Sequence, residues 1–354
     1  MHRLLKALGP ALALASSLAL AQGAGKDLLD RPAMPSALAA RMPLNSIARA
    51  GNRLVAVGQR GHILVAADSA LQWTQATVPV RVDLTAVHFP SANKGWAVGH
   101  DGVVLHSSDG GQSWTKQLDG NQAARLIIDH YQGSPAAGGA EGATILAEAK
   151  RMAAEGADQP FLGVWFENEE TGYIVGAFNL IFLTTDGGRS WRPISDRTDN
   201  PKAYHLYDIR GLDGELYIAG ELGLLLRFDR SSRRFVAVST PYQGTYFGIL
   251  PTPNAVIAYG LRGNAFRSAD GGKTWQKTET GIQTGLTGAT VLADGGVVLV
   301  SQGGQVLVSR DQGRSFKRAS SIAPLPFHGV TEAVAGNIAL VGARGVRVET
   351  ISAY

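Results

Sequence analysis

Short apolar runs, each closed by a glycine-rich polar turn, recur along the chain. Gly95-Trp96-Ala97-Val98-Gly99 is followed by His100-Asp101-Gly102, by Val103-Val104-Leu105-His106-Ser107, and by Asp109-Gly110-Gly111-Gln112-Ser113-Trp114. The same frame begins at Val55, Ile174, Ile218, Ile257, Leu299 and Leu340. Residues closing the first run of each unit are Gly58, Gly99, Gly176, Gly220, Gly260, Ser301 and Gly342, spaced by 41, 77, 44, 40, 41 and 41 residues. Runs of four to six apolar residues between turn signals read as buried strands. A period near 41 with four such runs is the spacing of a four-stranded propeller blade. The expected fold is all-β: a seven-bladed β-propeller of four-stranded blades over 36–354. The long interval carries a helical-hairpin insertion between blades 2 and 3, over 119–160. The last unit shows three strand segments, around 329–334, 338–341 and 346–351. Residues 36–41 are expected to supply its fourth strand and close the ring, removing an exposed sheet edge.

Four units carry a second signature. Ser107-x-Asp109-x-Gly111-x-Ser113-Trp114 returns at Asp186, at Asp270 and, with Phe316 as the aromatic, at Asp311. This is the Asp-box. The carboxylate is placed to accept backbone N–H groups of its own turn, glycine supplies a positive φ, and the aromatic packs between blades. Four equivalent turns point to a structural role for Asp109, Asp186, Asp270 and Asp311 rather than to catalysis or calcium.

Together the glycine turns, the strand pairs and the Asp-boxes resemble the photosystem II stability/assembly factor family of Asp-box propellers, over roughly 36–354. The resemblance implies a non-enzymatic assembly factor of the lumen or periplasm that binds membrane-protein subunits. Relatives in bacteria without a photosystem imply a role beside another membrane complex, with an exporter of the RND superfamily as the expected partner. The insertion after unit two departs from the family pattern and speaks against the photosystem target itself.

Strand order places the turn after each second strand on the face that carries the connections between blades, with the Asp-boxes opposite. Arg60, Asp101, Arg262 and Arg344 fall on the former turns. Arg81, Tyr204, His205, Tyr246 and His328 fall on the connections. Arginine and tyrosine anchor protein interfaces and carboxylates, so these nine residues form the expected partner-binding set around the channel mouth. Scattered, solvated loop residues are the plain alternative. In the insertion, 122–131 and 144–157 have apolar residues at helical spacing. They predict a two-helix hairpin over or beside the mouth, either a packed decoration or a docking cap.

Composition narrows the classes. Glycine is 44 of 354 residues, about 12 % against a usual ~7 %. Cysteine is absent, which excludes disulfides, thiol nucleophiles and Cys-ligated zinc. A net charge of +4 is too small for a nucleic-acid binder. Arg3 and Lys6, the run Leu8–Leu20 and Ala19-Leu20-Ala21 read as a cleaved secretory signal over 1–21, followed by a lead-in over 22–35. The expected product is therefore periplasmic, has no membrane span, and is a monomer when alone. Sialidases also carry Asp-boxes, and Arg60, Arg262 and Arg344 could imitate their carboxylate-binding triad. However, they have six blades and an early Arg-Ile-Pro motif, absent here. No G-x-S-x-G or H-E-x-x-H occurs, and Gly272-Lys273-Thr274 belongs to an Asp-box rather than a phosphate loop. His62, His88 and His106, within strands, read as packed or surface residues rather than metal ligands. No enzyme activity, cofactor or metal is expected. A passive scaffold, binding through its outer rim, is a third class.

Overall fold

The computed structural model describes residues 27–69, 72–133, 139–319, 322–334 and 336–351; the expected export signal lies outside them. The chain folds into seven antiparallel sheets arranged as a propeller. Among the described residues, six sheets have four strands and the last has three. The inner strands are Leu44–Ala50, Leu84–His88, Phe161–Phe166, Leu206–Leu212, Tyr246–Thr252, Leu286–Val291 and Phe327–Glu332.

The apolar runs become the second strands, and their packing explains their composition. Gly95–Gly99 and Val297–Ser301 are buried along their whole length because blades cover both of their faces. Between blades 2 and 3, Trp96 stacks on Phe166 at 3.6 Å, and Phe166 meets the Asp-box residue Trp191 edge-on. Phe166 takes this place because Gly172 has no side chain beneath its ring; a Cβ there would lie 2.4 Å from it.

The Asp-boxes have the expected local bonding. Asp270 Oδ1 accepts the backbone N–H groups of Lys273 and Thr274 and the Ser268 hydroxyl, and its Oδ2 accepts the Thr274 hydroxyl. These donors hold its pKa far below the usual carboxylate range. At Asp311 partial burial pushes upward, but donors from Ser315 and Ser309 outweigh it and bring the pKa to about 2. Blade 4 lacks the motif and improvises: Asp229 accepts from Ser231 and Ser232 instead.

Ring closure differs from expectation. Residues 36–41 form a turn and a single 3-10 turn, Ala39–Arg41, with Arg41 N–H donating to the Leu38 carbonyl. They add no strand to the last sheet. Instead they sit where blades 1, 4 and 5 put the chain entering the next inner strand. A Cβ on Gly345 would lie 1.9 Å from the Ala40 carbonyl oxygen. The equivalent approaches are Gly61 to Val80, Gly223 to Tyr242 and Gly263 to Ile282, each 2.2 to 2.4 Å. Closure is therefore made face to face: Leu44, Ile47 and Leu54 of blade 1 share one apolar cluster with Ala339 and Val341 of blade 7. Arg347 and Glu349 pair along the outer strand of blade 7, the kind of charged edge that discourages strand addition.

The insertion is the expected hairpin, α1 (Gly120–Tyr131) and α2 (Ala140–Glu155). Asp119 caps α1 with its side chain on Gln122 N–H, and the Gln122 side chain accepts from Asp119 N–H. Ala123, Ala124 and Ile127 enter the blade 2–3 core with Ala149 and Met152. Tyr131, fully buried, donates to Asp196 at 2.5 Å. These contacts place the hairpin beside the mouth, against the outer part of blade 3.

Candidate binding face at the channel mouth

Each inner strand opens with a register shift after its first residue, as between Leu84 and Ala86 or Leu286 and Gly288; in blade 3 the shift falls between Val175 and Gly176. The bulge turns the second residue toward the axis. Asn45, Thr85, Leu162, Tyr207, Phe247, Thr287 and His328 thus line the channel.

Four of these side chains fasten one blade to the next. Asn45 donates to the Leu84 carbonyl at 2.8 Å, Thr85 to Phe161 at 2.7 Å and Thr287 to Phe327 at 2.7 Å. His328 Nδ1 lies 3.0 Å from the Leu44 carbonyl, so the last of these contacts spans the closure. Leu162, Tyr207 and Phe247 have no such bond among the described residues. Tyr207 and Phe247 meet edge-on at 5.7 Å, and His205 and Phe178 continue the aromatic chain toward the hairpin.

Above this ring stand the turns that follow the second strands. Their middle residues adopt a left-handed backbone although they are not glycine: Arg60 (φ 57°), Asp101 (55°), Phe178 (50°), Leu222 (50°) and Arg262 (57°). This conformation costs about 1–2 kcal/mol in an L-residue. After Arg60, Leu222 and Arg262 the residue that follows explains it. Gly61, Gly223 and Gly263 nestle against connection carbonyls, leaving no room for another turn geometry. Each middle side chain is consequently pushed outward; Phe178 is 47 % and Leu222 56 % exposed, and neighbouring Leu261 38 %.

The expected partner-binding residues separate into groups. Arg60, Arg262 and Arg344 are exposed and make no ion pair or side-chain hydrogen bond among the described residues. Arg81 is occupied: its Nε and Nη2 donate to the Pro32 carbonyl, clamping the lead-in. Tyr246 is a correction. It is fully buried, its hydroxyl donates to Thr240 Oγ1, and burial pushes its pKa up to about 12. A first-position residue faces the inter-blade core, as Leu44 and Leu84 do. His328 is engaged in the closure contact. Asp101 sits among carboxylates; burial and neighbouring Asp27 raise its pKa, so it does not extend the basic surface. His205 accepts from Phe178 N–H at 2.9 Å and holds that turn, and Lys202 lies over the Tyr204 ring.

Some channel residues were missed. The third inner-strand position is Ser, Ala or Gly in six blades and Asp208 in blade 4. Asp208 pairs with Arg210 at 3.1 Å and accepts Ile249 N–H. Nearby, burial and Arg210 push His88 down to about 3, and it accepts Phe166 N–H as a neutral ring. Column-by-column comparison of the repeats carries the signal for Asp208. The exposed Leu222 and Leu261 left no signal, since apolar residues were assigned to the core.

The fold defines an Asp-box propeller with seven blades, whose channel mouth is lined on one side by hydrogen-bonded residues and on the other by apolar ones. The family model described as photosynthesis system II assembly factor YCF48 matches residues 51–133 and 148–276. That is more than half of the chain, which belongs to this family. The photosystem II assembly lipoprotein Ycf48 of Synechococcus sp. (strain CC9902) is 25 % identical over 158 residues, 44 % of this chain and 47 % of the relative, so the match spans about half of that protein. Among solved structures, a YCF48 bound to a D1 peptide superposes with a TM-score of 0.64 at 16 % identity, covering 89 % of this chain and 95 % of that one. YCF48 from Cyanidioschyzon merolae gives 0.62 at 15 %, covering 90 % and 98 %. At such identities the two structures speak for the fold. No helix among the described residues is long and apolar enough to cross a membrane.

Proposed function

We propose that this protein is a non-enzymatic, periplasmic assembly factor that captures an extracytoplasmic loop or tail of a membrane-protein complex on its channel mouth. An RND-type exporter is the partner to seek. The observation that carries the reading is the presence of three exposed, unpaired guanidinium groups, Arg60, Arg262 and Arg344, on the face that also exposes Phe178, Leu222 and Leu261. Arginine beside exposed apolar residues is the composition of a protein-binding patch. Family membership supports the assembly role, and a relative's complex with a membrane-protein peptide supports peptide capture. An acidic or C-terminal segment satisfies the arginines by charge-assisted hydrogen bonds, and added salt weakens it.

The test is co-purification from the native envelope with the wild type and with Arg60, Arg262 and Arg344 all changed to Glu. The triple variant should lose at least about tenfold in partner affinity with unchanged thermal unfolding. Undiminished capture, or loss only on changing the outer rim, assigns binding elsewhere. Turnover of a sialoside reporter that vanishes in the triple variant would establish the enzyme reading instead.

A further inference from the structure

We infer that the axial channel contains a binding site for a small monocarboxylate, held by the guanidinium of Arg210 and the hydroxyl of Tyr259. The channel cavity has a volume of about 110 Å³, the share of about three or four water molecules at ~30 Å³ each. Its occupant is therefore a small solute.

Three positions there break the pattern of the repeats. Asp208 stands where the other inner strands carry Ser, Ala or Gly. Arg210, two residues on, occupies a column that is otherwise Ala48, His88, Trp165, Leu250, Thr290 and Thr331. Tyr259 replaces the valine or alanine that precedes the closing residue of every other second strand. All three line the same cavity. Gly248 makes room for Tyr259, since a Cβ there would lie 2.2 Å from the hydroxyl.

Asp208 spends both carboxylate oxygens inside the fold. Its Oδ1 lies 3.1 Å from Arg210 Nε, and its Oδ2 accepts Ile249 N–H at 3.2 Å. The pair grips Arg210 through Nε and leaves Nη1 and Nη2 without a partner among the described residues. Tyr259 is only 5 % exposed, and its hydroxyl has no hydrogen bond among the described residues. Burial and the Asp208 charge raise its pKa, so it stays protonated and able to donate. A guanidinium fork and a hydroxyl together match the two oxygens of a carboxylate.

The charge count selects the valence. Arg210 is already balanced by Asp208. A monoanion leaves one negative charge in the channel, whereas a dianion such as sulfate leaves two, away from bulk water. Ile47, Leu162 and Val330 line the same cavity and can take a short alkyl end.

Saturation-transfer NMR on the purified full chain tests the site, with propionate, its neutral isostere propionamide, and sulfate as probes. Propionate should bind saturably, and the other two at least about tenfold more weakly. Tyr259→Phe deletes only the hydroxyl; it should weaken propionate about tenfold with unchanged thermal unfolding. Arg210→Lys keeps a charge opposite Asp208 but loses the planar fork, and should weaken propionate further. If Arg210→Lys unfolds, Tyr259→Phe still decides the matter. The Arg60/Arg262/Arg344 variant should keep full propionate binding, so channel and mouth stand or fall separately. No saturable propionate binding, equal binding of propionamide or sulfate, or full binding by a folded Tyr259→Phe overturns the site. Loss of propionate in the Arg60/Arg262/Arg344 variant places the anion at the mouth and overturns it as well.

Discussion

Blades 6, 7, 1 and 2 place Thr287, His328, Asn45 and Thr85 at the bulge of the inner strand, each in contact with the next blade's backbone. Blades 3, 4 and 5 place Leu162, Tyr207 and Phe247 there, and their turns expose Phe178, Leu222 and Leu261. The backbone geometry is the same in both halves. The side chains divide one repeated position between fastening the ring and presenting a surface. A closed ring has one joint that the chain does not cross covalently, and the hydrogen-bonded half contains it. The half remote from the joint is held by continuous chain and can afford exposed apolar residues.

The largest expected effect lies at the joint. Gly345→Val places a side chain against the Ala40 carbonyl at φ 85°. It should cost about 3 kcal/mol or more, read as a lowered midpoint in urea unfolding. Gly281→Val, also at positive φ but with nothing within 4 Å, should cost only the backbone strain, about 1–2 kcal/mol. Equal losses at the two sites would remove the special status of closure.

A smaller effect belongs to the inter-blade bonds. Thr287→Val keeps the shape and deletes the donor to the Phe327 carbonyl, with an expected loss of about 1 kcal/mol. The same measurement on Phe247→Leu in the aromatic half should show a smaller change, within about 0.5 kcal/mol, because its ring is partly open to the channel. Reversal of that order would mean that aromatic contacts, not hydrogen bonds, set the mouth.

The smallest effect on folding separates presentation from fastening. Leu222→Gly relieves about 1–2 kcal/mol of left-handed strain and adds about 0.5–1 kcal/mol of unfolded-chain entropy. Stability should therefore change by less than about 1 kcal/mol while envelope capture falls. A variant equally competent in capture would show that the exposed Leu222 side chain is not read by the partner.

The sequence alone determined the seven units, the four strands of most blades, the Asp-boxes and the hairpin, because each is a local pattern. Apolar runs of strand length, a Ser-x-Asp-x-Gly turn that satisfies its own hydrogen bonds, and apolar residues at helical spacing all act within a few tens of residues. Which residues share the mouth was partly legible, since strand order dictates which turns point the same way; Arg60, Arg262 and Arg344 were found by that route. Tertiary structure decided the rest. Tyr246 and Tyr207 stand one residue apart in their respective strands, and only the bulge determines that one enters the core and the other the channel. Arg81 resembles Arg60 in sequence, yet the lead-in chain claims it. Residues 36–41 could close the ring as a strand or as a turn, and the decision rests on the Ala40 carbonyl meeting Gly345 across 305 positions of chain. Such choices depend on what lies opposite a side chain, and a distant segment supplies that only after the ring has formed.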